Sequence, residues 1–349
     1  MNGWRIPKLT RRTFTTGATS IALATIASPT VVRSQGMTKI KITQPSDSLS
    51  YMSIYVARAR GLFEKAGIDL EVVITRGDGP DVQALMAGEV EFVATPPHHL
   101  YTLVLQGRKL LGICGILGRC GINLVIEKEV GKARNVREDS PIGDKLKALE
   151  GLTIGCSAPG SLTYNIAQYY IRRAGLKPQV DVKVVPAGTG AAAIAAMKNG
   201  IVNAYAFSSP LTDQFVNSGL ADWLINNTRG QDPELKEFLH AVIYVRPDYL
   251  AANEDVVRRL VGAIVESSSW IRESSIDDVA RVLRPFFSRL DEPVFMSALA
   301  NVREAVIPDG RMTAAGSDAY QTVLLDSGHL KERVPFDTVF TNEYLPGRA

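Results

Sequence analysis

Residues 39–75 read KIKITQPSDSLSYMSIYVARARGLFEKAGIDLEVVIT, and this stretch decides the class of fold. Isoleucines alternate with lysines over 39–43, which is typical of a short strand. Apolar residues at helical spacing predict a helix over 50–66, and Gly67 ends it because glycine tolerates the left-handed conformation of a helix C-terminus. Residues 68–75 return to a strand pattern. A strand–helix–strand unit of this kind predicts a parallel sheet covered by helices.

The alternation of strands and helices continues to residue 116 and restarts at residue 122. Residues 128–140 are polar and are predicted to form a loop, and the chain after residue 247 is mainly helical. Two such sets, joined by short extended crossings placed near 118–124 and 243–247, predict two lobes with a cleft between them. Ligands of such sheets bind outside the carboxyl ends of the strands.

Residues 1–36 predict an export signal whose cleavage site is not fixed. They carry five basic residues, no acidic residue, and a modest apolar run over 17–27. The stretch TRRTF at 10–14 resembles the twin-arginine motif, although Thr15-Thr16 replaces the usual Leu-Lys. No cysteine lies near the end of the apolar run, so a lipid anchor is not expected. These features predict an exported, soluble periplasmic protein.

Composition excludes several classes of function. Of 349 residues, 46% are hydrophobic and 21% are charged, which describes a globular protein. Without residues 1–36 the chain has 34 basic and 36 acidic residues, a formal charge of −2, so nucleic acid is not an expected partner. Three cysteines, Cys114, Cys120 and Cys156, are too few for a disulfide framework. Cys114 and Cys120 could pair, but buried thiols are favoured.

Several predicted strands end in small polar, glycine or proline residues that lead directly into a helix. Helix N-termini leave backbone N–H groups unpaired and attract anions and polar acceptors, although simple capping explains any one of these turns. Five in series predict a cleft lined with hydrogen-bond donors. The turns are at residues 77–80, 95–97, 158–161, 187–190 and 208–210.

Five segments together resemble solute-binding proteins of ABC importers, in the group that handles nitrate, sulfonates, taurine and thiamine-pyrimidine precursors. One departure is Asn203, where the family often has Asp. The segments are YVARARGLFEKAGID at 55–69, ALMAGEVEF at 84–92, LEGLTIG at 149–155, AGL at 174–176 and GIVNA at 200–204.

The resemblance implies the α/β, bilobed type II periplasmic binding-protein fold, with two mixed sheets flanked by helices, a two-strand hinge and a helical C-terminal part. It places lobe 1 at 37–120 plus 246–349 and lobe 2 at 121–245. It also implies a small-molecule ligand and the transmembrane permease subunits of an ABC importer as partners. A monomer is expected.

Position after the predicted strands identifies the residues expected to line the cleft. For each of them, capping or turn formation is the alternative explanation. From lobe 1 these are Asp47, Ser48, Tyr51, Gly77, Asp78, Gly79, Thr95 and His98; from lobe 2 they are Ser157, Ser161, Leu162, Thr163, Gly188, Thr189, Phe207 and Ser208.

An anionic ligand would favour a fixed cation. Arg76, Arg119 and Arg246 each follow a predicted strand or lie in a crossing, and a guanidinium group suits carboxylate or sulfonate. Solvated surface arginine is the alternative for each. We hypothesise that one of the three contacts the ligand.

Enzyme motifs are incomplete. GCSAP at 155–159 begins like a nucleophile elbow but has proline where the second glycine belongs. GTGAAA at 188–193 resembles a dinucleotide turn, but the next strand ends without an acidic ribose ligand. His98 and His99 are adjacent, so a helix would point them about 100° apart, and a shared metal is not expected. No catalytic residue, cofactor or metal is therefore predicted.

The leading hypothesis is a periplasmic solute receptor of an ABC importer that binds a small organic, anionic molecule of the sulfonate or carboxylate type. One alternative is a thiamine-pyrimidine-type enzyme on the same fold, although the cysteine cluster of such enzymes is absent from the sequence. Another is a ligand sensor that docks on a periplasmic receptor domain.

Overall fold

A computed structural model describes residues 36–75 and 77–347 as one compact unit. The predicted export signal lies outside the described residues, apart from its final glycine, and so does Arg76. The described chain has ten strands: β1 Thr38–Gln44, β2 Ile68–Ile74, β3 Phe92–Thr95, β4 Leu111–Leu117, β5 Ile122–Glu127, β6 Thr153–Cys156, β7 Lys183–Pro186, β8 Ala204–Ser208, β9 Ala221–Ile225 and β10 Ala241–Val245.

Helices flank these strands, and short 3-10 turns occur at Leu49–Tyr51, Pro233–Leu235 and Arg284–Phe287. The helices are α1 Met52–Ala59, α2 Leu62–Lys65, α3 Asp78–Ala87, α4 His98–Leu105, α5 Lys128–Ala133, α6 Ile142–Lys147, α7 Leu162–Arg173, α8 Ala191–Lys198, α9 Leu211–Asn217, α10 Pro247–Ala252, α11 Glu254–Glu273, α12 Ile276–Leu283, α13 Glu292–Arg303, α14 Ala314–Asp326 and α15 Phe336–Val339.

The first sheet has the strand order β2-β1-β3-β10-β4. Strand β1 pairs in parallel with β2 and β3, as the strand–helix–strand pattern predicts. Strand β10 is antiparallel to both of its neighbours, with Val242 opposite Thr95. The sequence predicted that lobe 2 ends at residue 245 and that a crossing lies near 243–247. Both predictions are wrong for β10, because this strand belongs to the first sheet. Its five apolar residues are fully buried inside the first sheet, a location that the local sequence does not reveal.

The second sheet has the strand order β7-β6-β8-β5-β9. Strand β6 pairs in parallel with β7 and β8, whereas β5 is antiparallel to β8 and β9. Each sheet thus combines parallel strand–helix units with one strand of opposite direction. This confirms the predicted architecture of two mixed sheets flanked by helices.

Strand directions bring the two chain connections to the same side of each sheet. The first connection, residues 118–121, runs from β4 to β5, and the second, residues 226–240, runs from β9 to β10. Each connection leaves one sheet and enters the other at the edge where the parallel strands have their carboxyl ends. The connections also contact each other, because the Gly121 N–H donates to His240 Nδ1 at 3.1 Å. The carboxyl edges of the two sheets are consequently tied to each other by two connections that are in contact.

The C-terminal helices pack against elements of both sheets. Helix α13 contacts α9 beside the second sheet and the 3-10 turn Leu49–Tyr51 beside the first. Helix α14 contacts α7 beside the second sheet and α4 beside the first. Its Tyr320 belongs to a hydrophobic cluster that includes residues of both sheets. The helical part therefore forms a support behind the cleft.

Two local predictions were wrong, and one strand was not predicted. The helix expected over 50–66 is broken at Gly61, whose φ of +65° ends α1 before α2 begins. The loop expected over 128–140 begins with α5, because the Glu127 carboxylate accepts hydrogen bonds from the Glu129 and Val130 N–H groups. Strand β9 was not predicted.

The three cysteines are buried free thiols, so Cys114 and Cys120 do not pair. Burial raises the pKa of each thiol, to about 12 for Cys114 and Cys120 and to about 11 for Cys156. Among the described residues, no helix combines the length and apolar character that crossing a membrane requires.

We predict that Gly155→Ala destabilises the protein by about 1–3 kcal/mol, because the core there is already fully packed. A Cβ at Gly155 would lie 2.4 Å from a ring carbon of Tyr205, and that ring is fully buried. The Tyr205 hydroxyl also donates to the Gly188 carbonyl at 2.5 Å, so the ring cannot turn away. Urea denaturation measures the effect.

Gly262→Ala is the matched control, since Gly262 lies within α11 and a Cβ there meets no atom within 4 Å. It should gain about 0.5–1 kcal/mol from helix propensity. Equal stability of Gly155→Ala and the wild-type protein would contradict the packing argument.

Candidate functional site

Buried polar atoms without partners are concentrated where the two sheets face each other. Among the described residues, ten buried side-chain N or O atoms have no hydrogen-bond partner, and eight of them lie at the carboxyl edges. The other two belong to Arg60 and His99. The eight are Thr43 Oγ1, Gln44 Oε1, Asp81 Oδ2 and Thr95 Oγ1 beside the first sheet, and Asn123 Nδ2, Ser209 Oγ, Thr212 Oγ1 and Asp213 Oδ2 beside the second.

The first-sheet group surrounds a buried carboxyl. Asp81 lies in the first turn of α3 and is fully buried, with Thr75 Oγ1 2.6 Å from its Oδ1. Burial raises the pKa of Asp81 to about 7. Thr43 and Thr95, at the ends of β1 and β3, are also buried. Near neutral pH this corner can therefore both donate and accept hydrogen bonds.

Tyr51 lies next to this corner. Its side chain is buried, and burial together with the charges of Asp81 and Asp78 raises its phenol pKa well above the usual value, so it keeps its proton. Ser48 caps the 3-10 turn, because its Oγ accepts from the Ser50 N–H at 3.2 Å. Asp47 accepts from the Tyr55 hydroxyl at 2.9 Å. Helix capping thus accounts for Ser48, and a hydrogen bond with Tyr55 accounts for Asp47.

Asp78 and His98 lie together at the start of α3 and α4, with Oδ2 and Nε2 3.2 Å apart. Partial burial opposes ionisation of Asp78, but the hydrogen bond from His98 and its charge hold the pKa of the carboxyl well below its usual range. His98 Nδ1 lies 3.4 Å from the Tyr320 hydroxyl. Gly77 and Gly79 form the turn here, since the Gly79 N–H donates to Asp78 Oδ1 at 3.1 Å.

On the second sheet, three hydroxyls converge at the N-terminus of the twelve-residue helix α7. Ser157 Oγ lies 2.9 Å from Ser161 Oγ and 2.8 Å from Thr163 Oγ1, and the last two are 2.8 Å apart. Ser161 also accepts from the Tyr164 N–H at 3.3 Å as the helix cap. We call these three residues the hydroxyl cluster. The structure brings together residues that the sequence analysis had selected one by one.

The remaining predicted residues of this half have varied environments. Leu162 packs in the hydrophobic core. Thr189 is exposed, and Gly188 has a φ of +78° in the turn before α8. Phe207 and Ser208 are partly buried at the end of β8.

A buried polar network extends from this edge into α13. Asp213 Oδ1 accepts from Ser297 Oγ at 2.8 Å and from Asn301 Nδ2 at 2.7 Å. Asn226 donates to Asn301 at 3.3 Å and accepts from Thr228, which also bonds to Asn123. Burial raises the pKa of Asp213. The second connection is therefore bonded both to the second sheet and to a helix that packs on the first.

The candidate arginines have different locations. Arg246 donates to the carbonyl oxygens of Leu85 and Val90, at 2.8 and 3.1 Å. It follows β10, and because β10 is antiparallel it lies at the opposite edge of the sheet from the cleft. Arg246 is therefore far from the other candidate residues, and the hypothesis that one of the three arginines contacts the ligand stays a prediction for Arg76 and Arg119. Arg119 lies in the first connection and donates to the Thr228 carbonyl at 3.2 Å. Arg76 lies outside the described residues.

Four further polar residues at these edges were not predicted from the sequence: Asp81, Asn123, Thr212 and Asp213. The two aspartates are in first turns of predicted helices, where an acidic residue is ordinary. The sequence signal for these two aspartates was that they lie directly after the predicted ligand-binding turns at 77–80 and 208–210. Only packing distinguishes them from solvated helix residues.

The family model described as NMT1-like family matches residues 47–283 of the chain. A curated relative, the putative binding protein YtlA of Bacillus subtilis, is 21% identical over 88% of this chain and 89% of its own length.

Solved structures share the fold. The periplasmic aliphatic sulphonate binding protein SsuA from Escherichia coli gives a TM-score of 0.67 at 18% identity, covering 89% of this chain and 94% of SsuA. The desulfurization enzyme DSZB gives a TM-score of 0.59 at 19% identity, covering 88% of this chain and 97% of DSZB. Similar folds thus carry binding proteins and at least one enzyme.

We predict that Asp81 makes the stability of the protein fall as pH rises from about 4 to about 7. The pKa is about 7 in the folded protein and about 3.9 in an unfolded chain, so between these values only the folded state holds the proton. The contribution is fully present below pH 4 and is lost through pH 7, with a slope of up to about 1.4 kcal/mol per pH unit.

Urea denaturation at pH 4, 5.5 and 7 tests this prediction. Asp81→Asn should lack the slope, so its free energy of unfolding relative to the wild-type protein should rise with pH. Asp248→Asn is the control, because its side chain is 78% exposed. Parallel pH profiles for the wild-type protein and Asp81→Asn would contradict the assignment.

Proposed function

The chain belongs to the NMT1-like family, and from this premise we propose that it is a periplasmic solute receptor of an ABC importer. In this proposal a small organic anion, a sulfonate or a carboxylate, binds between the carboxyl edges of the two sheets. The receptor then delivers it to the permease. Residues 1–36 act as the export signal of a soluble monomer without a lipid anchor.

The observation that carries the proposal is the concentration of buried polar side chains at the two facing edges, where eight side-chain N or O atoms lack a hydrogen bond of normal geometry. An unsatisfied buried polar group costs about 1–3 kcal/mol, so native structures keep few of them without a reason. A polar ligand, with the water that accompanies it, would satisfy donors and acceptors from both sheets at once. Binding would then favour the closed arrangement over an open one.

The acidic group of the ligand is proposed to bind at the hydroxyl cluster. Ser157, Ser161 and Thr163 lie at the N-terminus of α7, where unpaired N–H groups and the helix dipole favour an anion. Asn123, whose Nδ2 is buried without a partner, adds a donor at the edge of the same sheet. Arg119 is the proposed nearby guanidinium.

The other end of the ligand is proposed to bind at the first-sheet corner of Thr43, Asp81 and Thr95. Tyr51 supplies an aromatic face and a protonated phenol at this corner. Phe207 supplies an aromatic face at the edge of the second sheet. None of these side chains is a cation, so a second acidic group would have no partner of opposite charge among them. We therefore propose a ligand with one acidic group and an uncharged or hydrogen-bond-donating remainder.

The lobe division follows the sheets in this proposal. Lobe 1 contains residues 37–117 and 241–347, and lobe 2 contains residues 122–225, with the two connections as the hinge. The network from Asp213 to Asn301 lies at this hinge.

An enzyme is the second candidate, because the desulfurization enzyme DSZB shares the fold. A ligand sensor on a periplasmic receptor domain would use the same cleft. Incubation with the identified ligand, followed by mass spectrometry, separates the enzyme from the receptor, since only an enzyme releases a product. Association of the ligand-bound protein with permease subunits separates the receptor from a sensor.

We predict that one class of small acid raises the melting temperature when aliphatic sulfonates, amino sulfonates, carboxylates, nitrate and pyrimidines are screened. Ligand at a hundred times its Kd adds about 2.7 kcal/mol of stability. Ser157→Ala and Thr95→Val should each weaken binding about tenfold, since each removes one hydrogen bond worth about 1.4 kcal/mol. Isothermal titration calorimetry measures the Kd.

Matched controls are Ser269→Ala on α11 and Thr322→Val on α14, whose hydroxyls bond to the carbonyls of Pro308 and Asp318. Both should bind the ligand as the wild-type protein does. The proposal fails if no compound in the screen binds, or if Ser157→Ala and Thr95→Val both retain wild-type affinity.

A further inference from the structure

Three of the four histidines of the chain converge beside one carboxylate. One ligand atom each from Asp78, His98 and His99 lies within 4.8 Å of the others. The ring of His329 is 5.9 Å from that of His98. We propose that Asp78, His98 and His99, which we call the His/Asp cluster, bind a divalent transition metal ion such as Zn²⁺.

The distances suit such an ion. Tetrahedral Zn²⁺ with bonds of about 2.0–2.1 Å holds its ligand atoms about 3.4 Å apart. Asp78 Oδ2 and His98 Nε2 are already 3.2 Å apart. The prediction that adjacent histidines point apart is wrong here, because the ring centroids of His98 and His99 are only 4.0 Å apart. His98 is the first residue of α4, and its side chain reaches across to α3.

The contact between Asp78 and His98 does not explain why His99 is buried beside them. Its Nε2 is buried and has no partner among the described residues, which is costly unless something binds it. An imidazole nitrogen is the commonest metal ligand in proteins, so this buried atom without a partner points to a bound ion.

Neighbouring groups complete the arrangement. Tyr320, through its hydroxyl 3.4 Å from His98 Nδ1, can fix the orientation of that ring, as outer partners of metal-bound histidines do. The Asp78 side chain is 40% exposed, so an ion can enter. His99 also lines a surface cavity of about 520 Å³ between α3 and α4, together with Gly79 and Thr102. Three protein ligands leave a coordination position open.

A titration of the purified full chain with ZnCl₂ after chelator treatment tests the proposal. We expect one ion per chain with a micromolar or tighter Kd at pH 7.5. Co²⁺ in place of Zn²⁺ should give the intense visible absorbance of a tetrahedral or five-coordinate site. Asp78→Asn and His99→Gln should each weaken Zn²⁺ binding at least tenfold, and each should lower the Co²⁺ absorbance.

Asp309→Asn is the matched control for removal of a carboxylate, because Asp309 is exposed and its partner is Arg311. Melting curves in chelator verify that each variant folds. If His99→Gln does not fold, Asp78→Asn still tests the proposal, because the Asp78 side chain is partly exposed. No stoichiometric binding, or binding unchanged in Asp78→Asn, overturns the proposal. The titration contains no organic ligand, so its outcome is independent of the proposed function.

Discussion

The site depends on the direction of strand β10. This strand pairs antiparallel between β3 and β4, so the chain enters the first sheet at its carboxyl edge. The same edge is where β4 leaves toward the second sheet. Both connections therefore join carboxyl edge to carboxyl edge, and the strand-end turns with unpaired polar groups lie on the same side of the sheets as the connections. If β10 were parallel, the second connection would have to pass along the whole length of the sheet.

The cleft combines two chemically different sides. The second-sheet side carries neutral hydroxyls at a helix N-terminus, which suits an anion. The first-sheet side carries Asp81, a buried carboxyl with a raised pKa, and the ionised Asp78 beside His98. These two carboxyls differ because Asp81 is fully buried and bonded to a threonine, whereas Asp78 is partly exposed and paired with a histidine. A ligand that spans the cleft has to match both sides.

Local sequence predicted much of the fold but less of the site. The turn residues Ser157, Ser161 and Thr163 were selected from their position after a strand, and the structure brings their hydroxyls together. Arg246 was selected by the same reasoning and lies at the opposite edge. The rule that ligands bind after strand ends applies to parallel strands only, and strand direction is set by pairing with distant residues. Burial of Asp81 has the same cause.

The sequence by itself determined most of the order of strands and helices, the capped turns and the resemblance to solute-binding proteins, because these depend on neighbours within a few residues. Only the tertiary structure decided three other features: the direction of β10, the burial that leaves polar atoms without partners, and the convergence of His98, His99 and His329 beside Asp78. Each joins residues that are far apart in the chain. No local pattern records such contacts, because packing alone brings those residues together.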